Sequence, residues 1–218
     1  MAKLNKKQVE EVVRLLLLEY PEAGCELKFG SNFQLLVSVV LSAQTTDAGV
    51  NRVTPQLFEK APDTFAMSEL SEEDIQEFIK SIGMYRTKAA HISKLSKILV
   101  DKYNGEVPDD YEKLIELPGV GRKTANVVLA EAFGVPRIAV DTHVFRLANR
   151  IGFVAEKDVN ATEEALMKLL PKELWIKIHH AMIWHGRRVC SAARPACAGC
   201  CLEGLCKRNG LQKRSLGV

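Results

Sequence analysis

The sequence predicts an all-α fold on three observations. Apolar residues recur at three- and four-residue steps along most of the chain. Cap-forming Ser, Asp and Asn stand ahead of these runs, and Pro or Gly stands behind them. No period-2 run of β-branched residues is long enough for a strand. At 218 residues the chain has length for one domain or two small ones. With 47% hydrophobic and 26% charged residues, it has the composition of an ordinary globular protein. Its longest aliphatic patches, Leu15–Leu18 and Leu35–Leu41, fall far short of the roughly 20 residues that cross a membrane.

Taken in order, Val9, Val12, Val13, Leu16 and Leu17 form one apolar stripe that begins after Asn5 and is ended by Pro21. Ser31 with Gln34 reads as a capping box opening a helix through Leu41. Asp47 caps the next helix, to about residue 58, and Ser71 with Asp74 opens another that stops near Gly83. Thr87 opens a helix to about Tyr103, and Pro108 and Asp109 announce a short one ending at Leu117. Gly121 to Phe133, Asp141 to Ile151, Asn160 (with Glu163) to Leu170, and Lys172 to His185 complete the set. No Gly/Ser linker or low-complexity tract divides the chain, and Gly134-Val135-Pro136 is the best candidate hinge.

Cys190, Cys197, Cys200 and Cys206 are spaced C-x6-C-x2-C-x5-C. Structural zinc sites usually pair two C-x-x-C knuckles or add histidines, and only one such knuckle is present. An all-cysteine ladder with unequal steps suits one [4Fe–4S] cluster, whose corners take four thiolates. Disulfides are the competing reading; the lack of a secretory signal, which reads as a cytosolic chain, speaks against them. Cys25 and Cys201 are left over as buried or spare thiols.

Charge is unevenly placed. From Gly186 onward, Arg187, Arg188, Arg194, Lys207, Arg208, Lys213 and Arg214 face one acid, Glu203, so the segment is net +6 in a chain of net +3 and the rest is net −3. A one-sided basic patch is the footprint of a nucleic-acid face, and a solvated tail is the alternative for Lys213 and Arg214.

The segment Leu117-Pro118-Gly119-Val120-Gly121-Arg122-Lys123 is the second strong signal. Pro118 ends the preceding helix, and Gly119 and Gly121 permit positive φ and close approach of another backbone. The loop runs into a helix whose first N–H groups are unpaired and sit at the positive end of the dipole, a ready phosphate site. Held there, a DNA strand is positioned by its backbone without its sequence being read. A Walker loop is excluded because no Gly-Lys-Ser/Thr follows. A tight turn between packed helices is the bland alternative. Lys123 lies in the first turn of that helix. The dipole and Arg122 disfavour its ammonium, a bound phosphate favours it, and an uncharged amine there is a nucleophile. Asp141, in Val140-Asp141-Thr142-His143, is an N-cap whose carboxylate is held ionised and can stabilise positive charge on a sugar ring.

The hairpin ending in Lys123, Val-Asp-Thr-His with Asp141 eighteen residues on, and the cysteine ladder, in this order, resemble the endonuclease III family. These are bifunctional DNA glycosylase/AP lyases of the helix–hairpin–helix superfamily. The resemblance spans essentially the whole chain and includes Leu41-Ser42-Ala43-Gln44-Thr45-Thr46-Asp47. It implies two helical lobes flanking a DNA-binding cleft. One is a six-helix barrel over residues 24–135 with the helix–hairpin–helix motif; the other, residues 1–23 with 136–218, carries the cluster. It implies Lys123 as nucleophile, Asp141 as catalytic carboxylate, and Cys190, Cys197, Cys200 and Cys206 as cluster ligands. Gln44 matches the residue that fills the gap left by an extruded nucleotide, with helix C-capping as the alternative. Met84 falls where an apolar wedge is expected, often leucine in the family, with core packing as the alternative. Gly119, Gly121 and Arg122 would hold the DNA backbone, and Arg194, between Cys190 and Cys197, would meet a phosphate.

The implied activity is removal of oxidised pyrimidines from damaged double-stranded DNA by a monomer in the cytoplasm, associated with the nucleoid. Lys123 displaces the base at C1′ to form an imine, and β-elimination then cuts the strand 3′ to the abasic site. The cluster's part is structural or electrostatic. Two rival readings remain. An adenine-specific mismatch glycosylase generally lacks the lysine and adds a C-terminal domain, whereas this sequence has Lys123 and stops soon after the cysteines. A non-catalytic DNA-binding or redox-sensing module would use the hairpin and cluster without Lys123.

Overall fold

The computed structural model describes residues 1–211, and among these every regular element is helical. Eleven α-helices and one 3₁₀ turn follow one another: α1 Lys6–Glu19, α2 Asn32–Leu41, α3 Asp47–Lys60, α4 Thr64–Ser68, α5 Glu72–Ile79, α6 Tyr85–Tyr103, α7 Tyr111–Ile115, α8 Arg122–Phe133, α9 Thr142–Ile151, α10 Val159–Leu169 and α11 Trp175–Arg188, the last preceded by the 3₁₀ turn Lys172–Leu174. No helix among the described residues is long and apolar enough to cross a membrane.

Side-chain caps set most of the starts. Asn5 and Gln8 form a reciprocal capping box at α1, and Ser71 and Asp74 form one at α5. At α2, Ser31 caps the Gln34 N–H, but the Gln34 side chain turns to the Gly30 N–H, so the box expected there is only half made. Five starts differ from the sequence reading, one of them α11, which begins at Trp175 behind the 3₁₀ turn where a helix from Lys172 was expected. Thr46 rather than Asp47 caps α3, leaving Asp47 as the first helical residue, where its charge still favours the dipole. Asp110 caps α7, and Asp158 caps α10 two residues ahead of Asn160. Helix α6 starts at Tyr85, not Thr87, because Met84 takes a left-handed conformation (φ 58°) and breaks the chain direction without any side-chain cap. The five-residue α4, capped by Asp63, is too short to show a period and was not expected.

The described residues group into two compact units: Met1–Cys25 with the chain from Pro136 onward, and Glu26–Val135. The first holds α1, α9, α10 and α11 around Val12, Leu16, Val144, Leu147, Leu166, Ile178 and Met182. The second holds α2 to α8 around fully buried Leu35, Leu36, Leu57, Met67, Ile75, Ile92, Leu95 and Leu99, each contributing about 2 kcal/mol of burial free energy. Helix α6 packs against α2, α4 and α5 and so forms the spine of this unit.

Candidate functional site

The loop ahead of α8 is built from a turn and two anchors. The Val120 N–H donates to the Leu117 carbonyl (3.0 Å) while Gly119 stands at φ 80°, the signature of a type II turn over Pro118-Gly119. Leu117 and Val120 are buried and hold the turn to the unit. A Cβ on Gly119 would lie 2.8 Å from His91 Nδ1 of α6, so this position admits glycine on steric and backbone grounds alike. Gly121 departs from expectation. Its backbone is extended (φ −95°, ψ −179°), a conformation open to any residue, and an added Cβ would meet nothing within 4 Å. It caps α8 without a side-chain oxygen, leaving the helix start open in front of the turn. Arg122 is half-buried and Lys123 is exposed on the first turn of α8.

Asp141 is the N-cap of α9, in the other unit. Its Oδ1 accepts from the His143 and Val144 N–H groups, both at 2.8 Å. The cap uses one oxygen only, so Oδ2 stays available for a second task.

Cys190, Cys197, Cys200 and Cys206 line a single pocket, together with Arg150, Leu202 and Arg208. None of the six cysteines is joined in a disulfide, and Cys201 does not line this pocket. The tightest trio of ligand atoms is a different one: His185, Cys200 and Cys201, within 4.8 Å of one another. The chemistry favours the ladder. His185 Nδ1 bonds the Tyr20 hydroxyl at 2.9 Å, and its Nε2 lies 3.6 Å from Cys200 Sγ, itself a ladder sulfur. Three ladder sulfurs also face N–H donors, as thiolates holding iron do. Arg150 donates to Cys190 Sγ (3.3 Å), the Leu202 N–H to Cys200 Sγ (3.4 Å) and the Arg208 N–H to Cys206 Sγ (3.4 Å). Burial pushes the Cys200 and Cys206 thiols up, and the charges of the neighbouring ladder cysteines push the same way. Bare thiolates are therefore unfavourable together there, and a cationic core bound by all four removes that penalty. The residues fit an iron–sulfur cluster.

Among the residues expected to touch DNA, Gln44 and Met84 are both exposed, and both are left-handed (φ 54° and 58°). Met84 is 52% exposed, which excludes core packing for it. C-capping of α2 falls to Ser42, not Gln44. Arg194 is exposed on the Cys190–Cys197 loop, its backbone N–H held by Ser191 Oγ. The rest of the basic segment is partly committed: Arg208 pairs with Glu203 (3.5 Å), and Arg188 stacks 3.8 Å from the Trp184 ring centre. Lys213 and Arg214 lie outside the described residues.

Residues 37–172 match the model of the HhH-GPD superfamily of base excision DNA repair proteins. Endonuclease III of Bacillus subtilis (strain 168) is 50% identical over 220 residues, covering 97% of this chain and all of that protein. The chain belongs to the endonuclease III family. Endonuclease III of Escherichia coli (strain K12) is 48% identical over 94% of this chain and 97% of its own length. A solved structure of a trapped covalent intermediate of endonuclease III with DNA superposes with a TM-score of 0.90 at 50% identity, over 94% of this chain and 97% of the other.

Three residues of this endonuclease III-family chain were missed in the sequence. Arg146 and Arg150 lie one turn apart on α9. Arg146 donates to the Cys190 and Gly186 carbonyls (both 2.9 Å), and Arg150 donates to those of Ser191 (2.8 Å) and Ala192 (3.1 Å). Together they fasten the start of the cysteine loop to the helix that Asp141 caps. Their spacing of four on an otherwise apolar face was the available signal. The third is Lys88, buried in α6 with its Nζ 2.8 Å from Thr45 Oγ1, for which a lysine at an ordinary helical position gives no signal.

Proposed function

We propose that this chain is a base excision repair DNA glycosylase/AP lyase that removes oxidised pyrimidines from damaged duplex DNA. It acts as a monomer in the bacterial-type cytoplasm and associates with the nucleoid. The observation that carries the reading is an exposed lysine, Lys123, on the first turn of a helix whose start has no side-chain cap and lies behind a Pro118-Gly119 turn, in a chain of the endonuclease III family.

In this reading the DNA backbone lies over Gly119, Gly121 and Arg122, with phosphate oxygens at the open N–H groups of α8. The open space at Gly121 supports that placement. A damaged pyrimidine pairs and stacks poorly, so its extrusion costs less than the few kcal/mol a normal base demands. Gln44 takes the vacated place and Met84 wedges the stack. The Lys123 amine attacks C1′; the C1′–N bond to the base breaks, and its electron pair leaves with the base, which gains a proton. Asp141 steadies the positive charge that develops on the sugar. Loss of a proton from nitrogen and opening of the ring give an imine cation between Lys123 and C1′. That cation acidifies C2′; a proton leaves C2′ and the 3′ phosphate departs with the C3′–O bond pair, which cuts the strand. Cys190, Cys197, Cys200 and Cys206 would hold one [4Fe–4S] cluster, which supplies a rigid, charged support for the Arg194 loop. The unit Glu26–Val135 is then the barrel lobe and the other the cluster lobe.

Incubation with a duplex carrying one thymine glycol tests the whole reading. Wild type releases the base and leaves an unsaturated 3′ end, whereas Lys123→Ala binds the duplex but leaves it uncut. Cutting by the alanine variant at the wild-type rate overturns the assignment.

A further inference from the structure

Lys88 lies in the first turn of α6 and is only 3% exposed. Its ammonium donates to Thr45 Oγ1 at 2.8 Å, and no carboxylate of the described residues pairs with it. Burial pushes its pKa down. An ammonium has three N–H donors, and a buried one with a single neutral partner costs stability that an apolar side chain of the same length would not. A need other than stability places it there.

What the side chain joins identifies that need. Thr45 directly follows Gln44, in the turn between α2 and α3 that the Thr45 N–H closes on the Ser42 carbonyl (3.1 Å). The Lys88 backbone N–H donates to the Met84 carbonyl (3.0 Å), the bond that starts α6 beneath the left-handed Met84. One residue thus holds the Gln44 turn through its side chain and the Met84 turn through its backbone. Both turns hinge on an exposed, non-glycine residue in the left-handed region, a conformation that persists only where the surroundings enforce it.

We propose that Lys88 is a positioning residue that locks the Gln44 turn to the Met84 turn, so that both side chains enter the DNA stack as one rigid pair while a base is extruded. The inference rests on the glycosylase reading above. Losing the Lys88–Thr45 bond frees the two turns from each other and slows extrusion. It leaves the amine chemistry at Lys123 untouched.

The test compares wild type, Lys88→Met and Thr45→Val on two duplexes, one with thymine glycol and one with a preformed abasic site, where no base has to leave. For Lys88→Met, base release from thymine glycol, and the fluorescence rise of a 2-aminopurine beside the lesion, are expected to slow roughly tenfold or more. Borohydride-trapped adduct at the abasic site is expected to stay within about twofold, and Tm to hold or rise. Thr45→Val removes the acceptor while keeping the lysine. It is expected to slow release by the same factor, and the double variant is expected to be no slower than either single one. Wild-type rates of release in both single variants overturn the proposal, as does an equal fall on both duplexes. Failure of the glycosylase reading itself looks different: wild type then forms no adduct at all.

Discussion

At the scale of single residues, Asp141 was readable in the sequence because an aspartate ahead of an apolar helical run has few other uses. Only the structure shows that the cap occupies Oδ1 alone. Asp141→Asn keeps an equally good capping oxygen and loses the charge. Its Tm should therefore stay near wild type while base release falls by about 10²-fold, with imine trapping at an abasic site retained. A release rate equal to wild type would reduce Asp141 to a cap. Arg194 is exposed on the cysteine loop, so Arg194→Ala should weaken binding to damaged and undamaged duplex alike. The slope of log K against log salt should flatten by about one unit in a filter-binding titration. The left-handed backbone at Gln44 and Met84 was not legible, since neither residue type signals positive φ.

At the scale of elements, nearly every long helix was legible from its period, and the starts were off by one to three residues where cap-forming residues crowd together. Thr46 beside Asp47, and Asp158 beside Asn160, are two such cases; each pair offers two oxygens and packing chooses between them. The hairpin was legible as a pattern, but its two glycines do different work. Gly119→Ala forces a Cβ into a φ 80° backbone against His91, so it should cost about 1–2 kcal/mol and lower Tm. Gly121→Ala meets no atom and no strained dihedral in the free protein and only puts a poorer capping residue at the start of α8, so Tm should fall far less than for Gly119→Ala. If the DNA backbone passes over Gly121, the same alanine should still weaken duplex binding in a fluorescence-anisotropy titration. Binding equal to wild type would move the DNA off that loop.

For the molecule as a whole, the all-α fold was legible from patterning, and the cysteine ladder from its spacing. The internal fastening of the ladder was not, because Arg146 and Arg150 reach it across 40 or more residues of chain. The pocket separates the four ladder cysteines from Cys201. Cys206→Ser should therefore lose the visible absorption and iron content of the purified protein and release the Cys190–Cys206 segment to proteolysis, while Cys201→Ser keeps all three as in wild type. Loss of iron from Cys201→Ser with retention in Cys206→Ser would favour the His185, Cys200 and Cys201 trio instead.

The central claim is that Lys123 forms an imine with the sugar of damaged DNA. Borohydride reduction during reaction with a thymine glycol duplex, followed by digestion and mass mapping of the linked peptide, tests it most directly. A sugar remnant on the peptide bearing Lys123, absent from Lys123→Ala, is the result this account predicts. No adduct with wild type, or an adduct mapped to another amine, would contradict it.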